Sequence, residues 1–414
     1  MGTPTNYYVD PSGGDNTNTG TSTGSPWLTF AHAIDEITRD DTNGDQINIK
    51  SSAADTSMAS GAVDLDDYGS PTQMAPLIIR GYNSAANDGG FGEFSGGVAS
   101  GAGTHDLFGS FTLGHVHFID MDLGKCGSDH DIFNSTNPAK TSGWSFTRCR
   151  LGNNCDNCVN LTRIGGSQYG TIRFIDCHFT GWTESAIRIY GRTATFVYGC
   201  VFSRDHSGTN GYYAIANNNG VEYNRLHVIN CIFQSTSSAA TVSSNSEIKV
   251  GKDPVVIRNC SFYNSGSACK HVVWSEDETR LTFMNNLVEG YDAAGAYILY
   301  RSAGNPKLLE HGGNAGYDCT DWMHASYEAF KDWGDDETGS GNWLGASPFT
   351  DAAAGDFSPA DTGNVHGGSR PSTFIKSGEA LNLDKGAIQR STGTSISAGV
   401  PLERGVHPIE WGSV

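Results

Sequence analysis

A short pattern recurs through the middle of the chain: one residue, then Asp, Asn, Arg or Gly, then Cys, then any residue, then an apolar side chain. It reads Thr147-Arg148-Cys149-Arg150-Leu151, Ile175-Asp176-Cys177-His178-Phe179, Tyr198-Gly199-Cys200-Val201-Phe202, Ile229-Asn230-Cys231-Ile232-Phe233 and Arg258-Asn259-Cys260-Ser261-Phe262. Weaker copies flank these, Ile119-Asp120-Met121-Asp122-Leu123 before and Met284-Asn285-Asn286-Leu287-Val288 after. The central positions 121, 149, 177, 200, 231, 260 and 286 are spaced by 28, 28, 23, 31, 29 and 26 residues. Self-similarity at such a period means stacked units, each touching only its neighbours. The Leu-x-x-Leu-x-Leu signature of leucine-rich repeats is absent, and WD-type repeats are longer, with four strands each.

The period fits about three short strands per turn of a coil whose successive layers lie about 4.8 Å apart. Around Cys177 the expected strands are Thr171–Cys177 and Ala186–Tyr190, with Gly181–Glu184 as the corner between them and Gly191–Thr193 as the next. Gln46–Ile49 and Pro76–Arg80 read as strands of earlier coils. Variable spacing then falls in corners, while strands keep register. Composition agrees: 53 Gly residues, only 17% charged residues, and abundant Ser, Thr and Asn suit many tight turns. The expected fold is all-β, a right-handed parallel β-helix with an N-terminal helical cap and an irregular C-terminal cap. The expected divisions are 1–44 for the first strand and capping helix, 45–310 for the coils, and 311–414 for a C-terminal helix and tail.

Period-two alternation puts the repeated Cys and the apolar residue two positions on toward one face. Ten cysteines in an exported protein would suggest disulfides. A file of small apolar side chains in a solenoid core is the preferred reading, because each Cys belongs to a repeat and free Cys is among the most buried residues. Cys155 and Cys158 form C-x-x-C without a second pair at zinc spacing, and read as a corner plus a strand residue. For the caps, Ser25-Pro26 is expected to open a helix with Trp27, Phe30, Ala31, Ile34 and Ile37 on one face. Asp321–Asp332 is expected as a second helix.

The chain carries a net charge of −19, the wrong sign for non-specific nucleic-acid binding. No apolar run is long enough to span a membrane as a helix. The first residues show neither the basic nor the apolar segment of a secretion signal, and Asn6 breaks the myristoylation pattern. HExxH, Walker A and Rossmann fingerprints are absent, and no cofactor is expected.

Tyr7-Tyr8-Val9-Asp10-Pro11-Ser12-Gly13-Gly14-Asp15, then Gly20-Thr21 and Ser25-Pro26-Trp27, resembles the opening of pectate-lyase-like right-handed β-helix proteins. Asp45–Lys50 and Pro76–Tyr82 are similar to that family's first coils. Ser347–Asp351, Gly355–Phe357 and Asp384–Gln389 are similar to its C-terminal segment. The resemblance spans nearly the whole chain. It implies a fold shared by polysaccharide lyases and hydrolases, surface adhesins, and spikes or fibres of tailed bacteriophages, and fold alone does not fix activity. Leaderless members rich in Gly, Ser, Thr and Asn look most like phage virion proteins.

A lyase needs a base and often a Ca²⁺ held by carboxylates; a hydrolase needs two carboxylates flanking the bond. No column of Asp residues for a Ca²⁺ site is legible in the repeat, and Asp64, Asp66 and Asp67 lack EF-hand spacing. Outward candidates for glycan binding are Arg163, Glu184, Arg188, Tyr190, Tyr212, Tyr213 and Glu222, set against the plainer reading of a solvated sheet face. His115 and His117 share a strand face and could meet a metal only on a trimer axis; as a lone pair they read as surface residues. Asn134, Asn160 and Asn259 fit the glycosylation pattern, which is frequent by chance in such a composition.

Two function classes stay open. One is a non-enzymatic structural or display protein of a virion, binding host-surface polysaccharide. The other is an extracellular polysaccharide lyase or glycoside hydrolase. The expected partners are other copies of the chain, most simply in a trimer, and other virion proteins. Trp274, Tyr291, Tyr297, Tyr300, Trp322, Trp333 and Trp343 place the expected contacts in the C-terminal third.

Overall fold

The computed structural model describes residues 2–320 apart from 56–63, 97–104, 110–112, 128, 136–142, 163–169, 191–192, 205–212, 218–224, 237–244, 253, 267–268, 277–278, 303–306 and 313; it further describes 328–329 and 346–360 apart from 355. The chain is a right-handed parallel β-helix. One 12-stranded sheet takes a strand from each coil, beginning with Thr5–Val9, Asp45–Lys50 and Leu77–Tyr82 and ending with Arg280–Met284, Lys307–Gly312 and Glu328–Ala329. Every pairing along it is parallel and between successive coils. A 16-stranded sheet wraps the other two sides. In two coils its halves fuse into single 13-residue strands, Arg150–Thr162 and His178–Tyr190.

The repeat owes its second position to backbone conformation. Asp120, Arg148, Asp176, Gly199, Asn230, Asn259 and Asn285 all have φ between 51° and 64°. One left-handed residue per coil turns the chain from the first sheet into the second, a conformation open to Gly and easier for Asn and Asp than for other side chains. The strand before Cys177 therefore ends at Ile175, not at the Cys. The corner expected at Gly181–Glu184 is present as a bend inside the strand His178–Tyr190: Gly181 has φ 61°, and pairing with Arg150–Thr162 shifts register around Cys155 and Trp182.

Just past each turn the Cys faces inward. Cys149, Cys177, Cys200, Cys231 and Cys260 are buried, unlinked thiols on successive coils. The sulfurs of Cys149, Cys177, Cys231 and Cys260 reach carbonyls of the preceding coil, as Cys177 Sγ does at 3.4 Å from Phe146 O. Burial pushes the Cys149, Cys200 and Cys260 thiols well above the usual range, which keeps them protonated. The file continues into asparagine: Asn286 accepts from Cys260 N at 2.9 Å and donates to Asn314 Oδ1 at 3.1 Å, and both amides are fully buried. Two residues after the Cys, Phe179, Phe202, Phe233 and Phe262 stack face to face at 4.7 Å between centroids. In the bent strand, Cys155 and Cys158 are buried with sulfurs 3.7 Å apart; Cys155 sits at the register shift that bends the strand, and Cys158 is a strand residue, as the C-x-x-C was read.

At the N-terminal end the helix is shorter than expected. It runs Phe30–Glu36, its N-cap is Thr29, and Trp27 pairs with Val9 as an isolated bridge instead. The Thr29 hydroxyl accepts from His32 N, and the Asp55 carboxylate takes Phe30 N at 2.7 Å. Phe30, Ala33 and Ile34 close the first coil, with Phe30 against Phe94 at 4.7 Å. Toward the other end, Glu328–Ala329 pairs in parallel with Lys307–Leu308. It is a strand where a helix was expected; the rest of Asp321–Asp332 lies outside the described residues. Asp64 caps the 3-10 turn Leu65–Tyr68 with its own carboxylate and gathers no ligand set with Asp66 and Asp67.

One charged pair sits wholly inside. Arg204 and Glu247 are 2% and 1% exposed, 3.8 Å apart, and the Tyr291 hydroxyl donates to Glu247 at 3.2 Å. Tyr291 is thus an interior residue rather than the surface contact expected of it.

Candidate functional site

The third strand of each coil presents an outward column. Its register runs Asn134, Asn160, Arg188, Ala216, Lys249, Trp274, Tyr300. A second column, on the inward side of the alternation two residues before Val159 and its register partners, carries Asn157, Ser185 and Tyr213, and farther along Ser246, His271 and Tyr297; Asn157, Ser185, Ser246 and His271 are buried. Alternation sends Val159, Ile187, Ile215, Ile248, Val273 and Leu299 inward on the same strands, so the core fixes which side chains face out.

Carboxylates collect at the start of these columns. Asp106 accepts from Asp131 N at 2.8 Å and from Asn134 Nδ2 at 2.9 Å. One coil on, Asp131 repeats the arrangement, accepting from Asn157 N and Nδ2 at 3.0 and 2.9 Å and from Asn160 Nδ2 at 2.7 Å. The Asn157 amide also lies 3.2 Å from Asp156 Oδ2 and 3.5 Å from Glu184 Oε2. Glu184 is ion-paired with Arg188, four residues along, and Asp156 takes the Thr183 hydroxyl at 2.9 Å. Three carboxylates on three coils therefore share one buried amide, whose Oδ1 has no partner. Burial, then the charges of Glu184 and Asp131, push the Asp156 carboxyl up to about 6 against the hydrogen bond from Thr183. Burial also raises Asp131.

This cluster was not read from the sequence, where the expectation concerned a column of Asp residues for a Ca²⁺ site, and it does not overturn that expectation. Asp156 and Glu184 each stand seven residues after the Cys of their coil, a signal that counting from the repeat would have exposed. Asp131 stands ten after Met121 and is not visible that way. Among the described residues, no group of three or more His, Cys, Asp or Glu is arranged to hold a metal ion.

Of the expected glycan-binding residues, Glu184 and Arg188 are brought together, and Tyr213 is half-buried two coils before Trp274, with the Lys249 ammonium 5.3 Å over its ring. Tyr190 closes the strand His178–Tyr190, with only its backbone described. Arg163, Tyr212 and Glu222 lie outside the described residues. Farther along the columns stands an aromatic group that was expected as a subunit contact. Tyr300 stacks on His271 at 4.2 Å and 12° and lies 4.5 Å from Trp274 and 5.8 Å from Tyr297. Lys249 is ion-paired to Glu276 at 3.0 Å.

On the first sheet, His117 Nδ1 lies 2.6 Å from Ser145 Oγ, and burial, then neighbouring positive charge, lowers His117 to about 4. His115 precedes the strand in the left-handed region at φ 53°. Asn134 and Asn160 spend their amides on Asp106 and Asp131, and Asn259 turns a corner.

A family model for the right handed beta helix region matches residues 137–309. No curated protein sequence matches the chain. Among solved structures, the chain is similar to the pectate lyase Pel9A, with 11% identity, TM-score 0.45 and coverage of 94% of this chain and 98% of that one. It is also similar to the GH136 lacto-N-biosidase from Eubacterium ramulus, with 12% identity, TM-score 0.35 and coverage of 83% and 67%.

Proposed function

We propose that the chain is a glycan-binding display protein, carried as decoration, fibre or spike on a bacteriophage virion, and that glycan lies on the outward column of the third strand. The observation that carries the glycan reading is the half-buried group of Asp156, Glu184 and Arg188 on adjoining coils, gathered about the buried Asn157 amide. Planar charged and amide groups in a row recognise vicinal hydroxyls through charge-assisted hydrogen bonds. A glycan microarray probed with the full chain and with Arg188→Ala tests it. Binding lost in the variant is the expected result, and no binding to any glycan overturns it. The virion setting rests on the sequence resemblance alone; mass spectrometry of purified particles tests it, with the chain expected as a stoichiometric component.

The raised Asp156 carboxyl favours a second reading, glycoside hydrolysis, in which Asp156 protonates the leaving oxygen and a neighbouring carboxylate acts on the sugar. Product release that survives in Asp156→Asn would sink it. Acidic polysaccharides are expected to remain uncut in either case.

A further inference from the structure

We infer a second site, on the first sheet, where Ser145 and His117 form a nucleophile–base pair and Arg173 holds the developing oxyanion, together cleaving small carboxylic esters with short apolar acyl groups. It lies on a different sheet from the third-strand column and does not depend on the glycan reading.

The register assembles it. His117, Ser145 and Arg173 are direct neighbours on three successive coils, in the strands Val116–Ile119, Trp144–Thr147 and Gly170–Ile175. Alternation buries Val116, Trp144 and Ile172, and two residues on Phe118, Phe146 and Phe174, so the three polar side chains face out. His117 and Ser145 are half-buried and Arg173 is exposed. His117 Nδ1 lies 2.6 Å from Ser145 Oγ, within reach for proton transfer. Burial, with the positive charge of His115 and Arg173 behind it, keeps the imidazole neutral at pH 7, so that its Nδ1 can accept from the hydroxyl.

The surroundings select the class. Backbone amides along these strands are spent in the parallel ladder, which leaves an oxyanion to a side chain. Arg173, one coil from Ser145, carries the charge, its guanidinium 5.8 Å over the Phe196 ring. Ile119 and Ile175 are half-buried on the same face, two residues along and about 7 Å away, which suits an acyl group of roughly two to four carbons. A weakly basic imidazole matches the electrophilic carbonyl of an ester better than that of an amide. As Ser145 Oγ bonds to the acyl carbon, its proton passes to His117 Nδ1. The bond from that carbon to the alcohol oxygen then breaks, and the alcohol leaves with the proton. Water attacks the acyl-serine through the same imidazole, releases the carboxylic acid and returns the proton to Ser145.

Hydrolysis of p-nitrophenyl acetate, butyrate and palmitate by the full chain tests the inference, together with peptide mapping after treatment with a fluorophosphonate probe. The expected result is turnover of the two short esters, lowered roughly tenfold or more in Ser145→Ala and in His117→Gln, and a probe adduct on Ser145. Arg173→Met is expected to lower kcat roughly tenfold with KM within about twofold, and Arg173→Lys to restore part of the loss. Melting curves identify any variant that fails to fold, and the adduct on the parent chain reads the nucleophile without a variant. Equal turnover in the parent and Ser145→Ala, or an adduct elsewhere with Ser145 unmodified, overturns the inference and leaves a hydrogen bond that only ties two coils. Palmitate cleaved faster than acetate overturns the short-chain assignment.

Discussion

At the scale of single residues, backbone conformation explains the repeat better than side-chain chemistry. The second motif position mixes Asp, Asn, Arg and Gly, which share little except access to positive φ, and the turn it makes was therefore hidden behind the more uniform Cys. Asn259 sits at φ 51°, and a β-branched side chain there is strained. Asn259→Val is expected to cost about 1–2 kcal/mol, whereas Asn259→Gly stays within about 0.5 kcal/mol of the parent, read from urea unfolding midpoints. Asp156 supplies a pH test. Its carboxyl is raised from 3.8 to about 6, so the folded state prefers the neutral form. The stabilisation is fully present below about pH 4 and is lost as pH rises through 6. After allowance for solvent screening, Asp156→Asn should gain about 1 kcal/mol relative to the parent between pH 4 and 7. A difference that does not change across that window would contradict the placement of Asp156.

At the scale of elements, inward positions were legible, and so was the bend at Gly181. Strand alternation identified the Cys file and the Phe two residues on, because the same side chain recurs at the same point of each coil. The bent strand His178–Tyr190 was read as strand, corner and strand, and the corner is there as a bend: Gly181 has φ 61° and pairing skips it between Thr180 and Trp182. The acid cluster was missed because the residues between the left-handed turn and the third strand vary in number, so Asp131 falls out of phase with Asp156 and Glu184. The stacked rings of Phe179, Phe202, Phe233 and Phe262 make the interior stiff to truncation. Phe202→Ala removes a ring with a neighbour on each side and is expected to cost about 3–5 kcal/mol, visible as a lowered melting temperature. Phe202→Leu should recover most of that loss.

At the scale of the whole molecule, a solenoid that buries its backbone hydrogen bonds along the stack leaves its ends to be covered and its sides to be used. The helix Phe30–Glu36 covers one end. Among the described residues no helix is long and apolar enough to cross a membrane. We propose a homotrimer with contacts in the C-terminal third; Tyr291 is buried and is not one of them, and Trp322, Trp333 and Trp343 lie outside the described residues. Light scattering on the full chain is expected to give three times the 44.0 kDa chain mass, and a monomer at high concentration would remove the trimer.

The central claim is that one side of the stack, where Glu184 and Arg188 stand partly exposed, is a glycan surface. The most direct measurement titrates the chain and Glu184→Gln with the glycan that binds best on a microarray. Glu184→Gln removes one charge at the shared amide and leaves the core untouched. The account predicts an unchanged melting temperature and an affinity at least tenfold weaker; equal affinity in the two proteins would contradict it.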